Sequence, residues 1–303
     1  MSTASLAARA RSERPGLRIV LARHGIDGVT LLAVPSALFV LALFVYPFLY
    51  GLVLSLEPKA GGWLANYVKF FSDHFLYETI WNTLQLAIPS TLVNVLLSIP
   101  VALRVRRMKH QRLLTAILVL PITLGTVLVA EGLLNYLGPH GWLNRVLVDG
   151  GLIADPVRLI HNYWGVLIAL FISIFPFTFL LTLSYVTGID PSLEQAASTL
   201  GANARARFRH ILLPLLAQGL AINFCLTFVQ AFSVFPSAVL LGDPAGVTRV
   251  ISIAAYTAAF EQYDYSMASA IAMIMGFSQL IIVAAVLASR GLVYRGPAGG
   301  AKG

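Results

Sequence analysis

The amino-acid sequence predicts an all-α membrane protein with six transmembrane helices, and three observations carry this prediction. Of the 303 residues, 58% are hydrophobic and only 11% are charged, whereas a typical soluble domain has about 25% charged residues. The mean hydropathy is +0.80, and the polar residues gather in short stretches between apolar runs. Six of these runs reach the length of about 20 residues that a membrane-spanning helix needs.

The six predicted spans divide the chain into three parts. Several spans contain proline, which a membrane bundle tolerates because neighbouring groups satisfy the freed carbonyl oxygens. The arm before the first span has no short apolar core of its own, so we expect it to be retained rather than cleaved as a signal peptide. We therefore predict a cytoplasmic N-terminal arm at residues 1–28, a membrane domain at 29–289 and a disordered cytoplasmic tail at 290–303. The spans are Val29–Leu54, Thr83–Leu103, Leu113–Leu137, Tyr163–Val186, Leu215–Leu241 and Met267–Ser289.

The distribution of basic residues predicts the orientation. The net charge of +8 would also suit a nucleic-acid-binding protein, but the basic residues flank the spans and therefore indicate topology. With the N-terminus inside, sixteen of the 21 Lys and Arg residues lie in inner segments and five lie in outer loops. Positive residues concentrate on the cytoplasmic side of membrane proteins. Both termini are therefore expected in the cytoplasm, with the lipid bilayer as a partner and no nucleic acid.

Several chemical functions have no sequence signal. A nucleotide-binding P-loop needs a lysine after a glycine in G-x-x-x-x-G-K-[ST], and none of the four lysines follows a glycine. The six histidines are scattered, without the spacing of metal ligands. The single cysteine, Cys225, excludes an internal disulfide framework. We therefore expect a non-enzymatic chain that binds no metal and no cofactor of its own.

The most informative segment is the loop between the fourth and fifth spans, residues 188–214, with the sequence GIDPSLEQAASTLGANARARFRHILLP. Asp190 is suited to cap a helix that begins at Pro191, where the missing N–H costs little. Gly201 is suited to end this helix in a left-handed conformation. A second short helix is expected from Asn203 to about Leu213.

One face of the first helix is apolar. Its four residues follow the i, i+3, i+4, i+7 spacing of a helical face: Leu193, Ala196, Ala197 and Leu200. Such a face can seat in a groove on another protein, or it can pack on the bundle of its own chain. The local features leave both possibilities open.

This loop resembles the cytoplasmic loop of permeases of binding-protein-dependent ABC importers, which has the form E-A-A-x3-G-x9-I-x-L-P. The chain has Gln195 where the family has the acid, with Glu194 directly before it. The resemblance implies that the loop contacts the ATPase, and it leaves open whether Glu194 or Gln195 makes the acid's contact. The implied ATPase-coupling residues are Leu193, Glu194, Gln195, Ala196, Ala197, Leu200, Gly201, Ile211, Leu213 and Pro214.

The resemblance also implies a fold and partners. Span three and its exit, LPITLGTVLVAEGLLNYLGPHGWLN, are similar to the spermidine/putrescine branch of this family. The implied fold is the type I ABC importer permease architecture in a bacterial inner membrane. The implied partners are a second, homologous permease chain, two ATPase subunits that bind ATP and Mg, and an extracytoplasmic solute-binding protein. A polyamine or another small amine-bearing solute is the expected substrate, with sugars and aminophosphonates as alternatives.

Four polar residues inside the spans are candidates for a solute pathway. Glu131 is the one acidic residue within a predicted span, and a carboxylate at that depth normally faces a bundle interior or a cavity. It is suited to pair with a cationic substrate, or it is a structural acid. Asn223, Gln230 and Ser233 lie near one face of span five, where they either line a passage or join helices by hydrogen bonds.

Two other classes of membrane protein remain open at this point. One is a carrier driven by an ion gradient, with Glu131 as its ion or proton site. The other is a membrane scaffold without a solute path.

Overall fold

The computed structural model describes the backbone of residues 28–293 and the side chains of residues 33–289, and this part of the chain is built from helices. Helices suit a membrane because they satisfy their own backbone hydrogen bonds. Two π-helical turns, Phe208–Leu212 and Thr257–Glu261, directly follow α8 and α11. The α-helices are α1 (Gly28–Ser55), α2 (Ala65–Ser72), α3 (His74–Val105), α4 (Gln111–Leu137), α5 (Trp142–Asp149), α6 (Tyr163–Thr187), α7 (Pro191–Thr199), α8 (Ala204–Arg207), α9 (Leu213–Phe232), α10 (Pro236–Leu241), α11 (Ile251–Tyr256) and α12 (Tyr265–Val293).

Six helical stretches within the described residues are long and apolar enough to cross a membrane, which confirms the predicted number of spans. Each overlaps a predicted span, although the second and fifth begin nine and eleven residues earlier than predicted and the third ends twelve residues later. The stretches are Ala33–Ser55, His74–Val105, Gln111–Asp149, Tyr163–Thr187, Ala204–Phe232 and Tyr265–Ser289.

The ends of the chain are described only in part. The described residues up to Val53 belong to a unit of their own, and α1 is a single helix that contains Pro35 and Pro47. The arm predicted at residues 1–28 lies outside the described residues except for Gly28, which begins α1. Helix α12 runs to Val293, so the first four residues of the tail predicted at 290–303 are helical. The rest of that tail also lies outside the described residues.

The fifth span ends earlier than predicted. Helix α9 ends at Phe232, and Phe235 has φ −136° and ψ −63° before α10 begins at Pro236. Proline lacks a backbone N–H, and its ring disfavours helical geometry at the preceding residue. The prediction of one span from Leu215 to Leu241 is therefore wrong, because the chain breaks at residues 233–235 and restarts as the separate helix α10.

The second unit, which begins at Leu54, is organised around α3, α6 and α9. Helix α3 packs along α6 and α9, while α4 packs on α6 and α12 packs on α9. The larger buried cluster brings together aromatic and aliphatic side chains such as Phe228, Phe232 and Ile271. A second cluster lies beside the loop 188–214 and includes Phe179 and Leu216. Ile189, two residues before α7, also belongs to this second cluster.

Candidate functional site

The start and the end of α7 are specified by its own sequence, as predicted. The Asp190 carboxylate accepts a hydrogen bond from the backbone N–H of Ser192 at 2.8 Å, and Pro191 is the first helical residue. Hydrogen bonds from the backbone and the side chain of Ser192 hold the pKa of Asp190 below its usual value, because both favour the carboxylate form. The helix therefore begins where the sequence places it.

Gly201 ends α7 with a φ of +83°. Its N–H donates to the Ser198 carbonyl at 3.0 Å, and the Ala202 N–H donates to the Ala197 carbonyl at 3.0 Å. This pair of bonds is the Schellman motif, which needs a left-handed residue at the position of Gly201. A Cβ at Gly201 would meet no atom within 4 Å, so the requirement for glycine comes from the backbone conformation and not from crowding.

The predicted apolar face of α7 is open on this chain. Leu193 is 46% exposed and Leu200 is 88% exposed. Ala196 is also exposed, and Ala197 is half-buried. A leucine with this exposure gains little from its own chain, so the face is available to another protein.

Glu194 and Gln195 point in different directions from α7. Glu194 is buried, and its two carboxylate oxygens accept hydrogen bonds from Arg106 at 2.9 Å and from Arg107 at 2.6 Å. Arg106 also donates to the Val186 carbonyl of α6 at 2.9 Å. Gln195 is exposed. The buried acid thus ties α7 to the ends of α3 and α6, while the neutral residue faces outwards.

The second helix of the loop differs from the prediction. Asn203 caps α8 by accepting from the Ala206 N–H at 2.8 Å, but the helical run that α8 begins does not stop before Pro214. Instead it continues through the π-helical turn into α9, where the Leu213 N–H donates to the Phe208 carbonyl. The wider turn accommodates the proline that follows, which would otherwise clash with a carbonyl of the preceding turn. Ile211, Leu213 and Pro214 therefore belong to the start of the fifth span.

Asn223 lies inside the bundle. Its side chain is fully buried and donates to the Thr178 carbonyl at 3.0 Å and to the Thr182 hydroxyl at 2.8 Å. Thr182 in turn contacts Ser98 of α3 at 2.7 Å. In this conformation Asn223 joins α9 to α6, which is the interhelical role that the sequence left open beside a pathway role.

Gln230 and Ser233 are separated by the end of α9. Gln230 is exposed and lines a cavity of about 160 Å³ between α4, α6 and α9. Ser233 lies just beyond α9 and accepts from the Gln279 amide of α12 at 2.9 Å. The two residues therefore have different neighbours, with Gln230 at the cavity and Ser233 bonded to α12.

The cavity beside Gln230 owes its shape to a break in α4. Gly125 has φ 72° and ψ 162° inside that helix, four residues after Pro121. Non-helical backbone at membrane depth is tolerated where protein buries it or where it lines a cavity. The buried Ser173 hydroxyl in the cavity wall has no hydrogen-bond partner among the described residues. Glu131 is exposed on the same helix, six residues further on.

Comparison with known proteins identifies the family. Residues 60–294 match the family described as binding-protein-dependent transport system inner membrane component. The chain belongs to this family. The resemblance predicted from the loop 188–214 is thereby confirmed, and so is the expectation of a multi-pass inner-membrane protein.

Relatives within the family differ in what their names say they transport. The spermidine/putrescine transport system permease protein PotB of Haemophilus influenzae is 30% identical over 181 residues, 59% of this chain and 63% of that protein. The match thus spans less than two thirds of that relative. The probable sulfate transport system permease protein cysT of Prototheca wickerhamii is 28% identical over 203 residues, 66% of this chain and 78% of that protein.

A solved structure shares the fold. It is a chain of a bacterial ABC transporter involved in the import of the acidic polysaccharide alginate, and it is 21% identical with a TM-score of 0.74. The likeness covers 91% of this chain and 98% of that chain. The predicted ABC importer permease architecture is confirmed at the level of the fold.

Sequence reasoning does not identify Arg106 and Arg107, which follow α3, as partners of the loop 188–214. From the sequence they indicate topology alone, because they lie in a basic stretch between two spans. The signal that points to such partners is Glu194, the acid that stands one position before the motif's acid position, since a buried carboxylate requires a cationic or hydrogen-bonding partner. Only the packing of α7 shows which basic residues are its partners.

Proposed function

We propose that this chain is the permease subunit of an ATP-driven solute importer and that the loop 188–214 couples it to a separate ATPase. The observation that carries the proposal is the exposed apolar face of α7 on a helix that is fixed to its own bundle. Membership of a binding-protein-dependent transport family supports it. In this arrangement the chain provides part of the solute pathway and hydrolyses no ATP itself.

The contacts of α7 suggest how motion passes from the ATPase to the membrane helices. Glu194 and Arg106 connect α7 to the end of α3, and Arg106 connects it to α6 through the Val186 carbonyl. A partner that displaces α7 therefore displaces the ends of two spans together. Because α3 and α6 pack along each other, their joint movement alters the bundle around the cavity beside Gln230.

The complete transporter would contain further chains. We propose a second homologous permease subunit, two ATPase subunits that bind ATP and Mg, and an extracytoplasmic solute-binding protein. Both termini and the loop 188–214 would lie in the cytoplasm. The excess of basic residues in the segments on that side supports this orientation.

A polyamine or another small amine-bearing solute is the proposed substrate. The Haemophilus relative supports this choice by name. The chemistry of the α4 region also supports a cation, because Glu131 supplies an exposed carboxylate on α4. Gln230 and Ser173 supply neutral polar groups at the cavity. Sugars and aminophosphonates are the alternatives.

Reconstitution tests the importer. The chain and its co-purifying subunits are placed in liposomes with the solute-binding protein outside, and radiolabelled solute uptake is measured with and without ATP inside. We expect uptake that requires ATP and ignores a proton gradient. Uptake that follows the gradient without ATP would instead identify an ion-coupled carrier.

The substrate is tested on the solute-binding protein. Calorimetric titration with putrescine, spermidine, aminophosphonates and sugars should show binding of a polyamine. Tight binding of a sugar would refute the substrate assignment while leaving the importer itself intact.

A further inference from the structure

The loop that contains α7 and the segment beside it carry a large excess of positive charge. The segment 104–112, which joins α3 to α4, and the loop 188–214 contain two acidic residues, Asp190 and Glu194, against eight basic ones. The basic residues are Arg104, Arg106, Arg107, Lys109, Arg112, Arg205, Arg207 and Arg209. A partner that docks here meets a strongly cationic surface.

Both acids of these segments are already engaged within the chain. Asp190 caps the first turn of α7, and Glu194 is buried between Arg106 and Arg107. The position where the family motif has the acid is occupied by neutral Gln195. Within the described residues of these two segments, no carboxylate is left to pair with a cation of an ATPase.

A cleft beside α7 gathers the basic groups. It has a volume of about 380 Å³, and its walls include Arg107, Arg207, Glu194, Gln195 and Ser198. Arg107 is 58% exposed despite its bond to Glu194. The Nη1 of Arg207 donates to the Ser198 hydroxyl, whereas its Nε makes no hydrogen bond among the described residues. Two guanidinium groups at the edges of one cleft form a site for a carboxylate, which accepts paired N–H bonds from arginine.

We infer that the ATPase partner inserts a carboxylate side chain into this cleft, between Arg107 and Arg207. The inference rests on the proposed function and specifies the chemistry of its partner. In this contact the permease supplies the cations and the ATPase supplies the acid. The family motif implies the reverse arrangement, in which the acid belongs to the permease. A protein partner is favoured over a lipid phosphate because Gln195 at the cleft directly precedes Ala196 of the exposed apolar face. A surface that covers this face also covers the cleft.

Restoring the acid of the family motif gives the sharpest test. Gln195→Glu places a carboxylate of the chain itself at the cleft, where it competes with the partner's carboxylate for the two arginines. The ATPase subunit that co-purifies with the wild-type chain is identified, purified and titrated against each variant in detergent. We expect Gln195→Glu to bind it about ten- to a hundredfold more weakly, the size of one charge-assisted hydrogen bond.

Arginine removal gives a second test with a matched control. Arg107→Gln leaves Glu194 its bond to the less exposed Arg106, so the fold is retained, and ATPase binding should weaken about tenfold. Arg205→Gln removes the same charge from an exposed site of the loop 188–214 that lies outside the cleft, and it should change binding less than about twofold. Wild-type binding should also weaken as salt is raised, because salt screens charge pairs at the surface.

The possible outcomes separate this inference from the proposed function. Tighter binding by Gln195→Glu would mean that the partner presents a cation, and it would overturn the inference alone. Unchanged ATPase binding by Arg107→Gln, together with the loss of anionic-lipid binding that the wild-type chain shows in the same micelles, would assign the cleft to lipid. A wild-type chain that recovers no ATPase would overturn both proposals.

Discussion

Removal of the Glu194 charge should loosen α7 from the bundle. Glu194→Gln keeps the shape of the side chain but leaves Arg106 without its counter-charge in a site where the Arg106 side chain is only 13% exposed. The Glu194 side chain itself is 9% exposed. The bond from Arg106 to the Val186 carbonyl remains. A buried guanidinium would then be satisfied by one backbone carbonyl and a neutral amide oxygen.

The magnitude follows from the burial of each partner. Breaking a buried ion pair by removing one charge costs about 3–5 kcal/mol, whereas an exposed pair contributes about 0–1 kcal/mol. The Arg106 contact belongs to the first class, and the Arg107 contact, with Arg107 58% exposed, belongs near the second. The glutamine amide retains one acceptor, which recovers about 1 kcal/mol. We therefore expect a loss of about 2–4 kcal/mol in the free energy of unfolding.

The assay is reversible unfolding in mixed micelles, read by tryptophan fluorescence, with a double-mutant cycle. Arg106→Met combined with Glu194→Gln should recover part of the loss, because no uncompensated charge remains in the site. Gln195→Ala, at the exposed neighbouring position, serves as the control and should lie within about 0.5 kcal/mol of wild type. A Glu194→Gln variant as stable as this control would refute the view that the ion pair fixes α7.

Three further substitutions test the loop and the bundle. Gly201→Val forces a β-branched residue to φ +83° at a cost of about 1–2 kcal/mol. ATP turnover should therefore persist while solute uptake falls. Wild-type uptake by this variant would mean that Gly201 is an ordinary loop residue. Ala197→Glu places a charge in the apolar face of α7 and should abolish ATPase co-purification from a chain that still inserts and folds. Normal recovery of the ATPase would exclude this face as its binding surface. Asn223→Ala should destabilise the bundle by about 1–3 kcal/mol because it leaves buried groups without a hydrogen-bond partner. Gln230→Ala should instead leave stability unchanged and reduce transport. Equal stability of the two variants would contradict the interhelical role of Asn223.

Some features could be predicted because they depend on neighbours in the chain. The number of spans follows from runs of apolar residues, and the start of α7 follows from Asp190 and Pro191. Gly201 ends α7 through bonds that reach only to Ser198 and from Ala202 to Ala197. The break after α9 has a local cause as well, but it was missed because hydropathy continues across Pro236 while helical geometry does not.

Other features depend on residues that are distant in sequence. Arg107 and Glu194 are 87 residues apart, and Asn223 meets Thr182 across 41 residues. The sequence left Glu194 and Gln195 as equal candidates for one contact, because adjacent helical residues differ only by a rotation of about 100°. The composition and local patterns of this chain determined its six apolar spans and the capped helix in the loop 188–214, and the motif in that loop gave the resemblance to its family. The packing of α7 on the ends of α3 and α6 decided which of the two residues is buried, since only a folded bundle brings Arg106 within bonding distance of that helix.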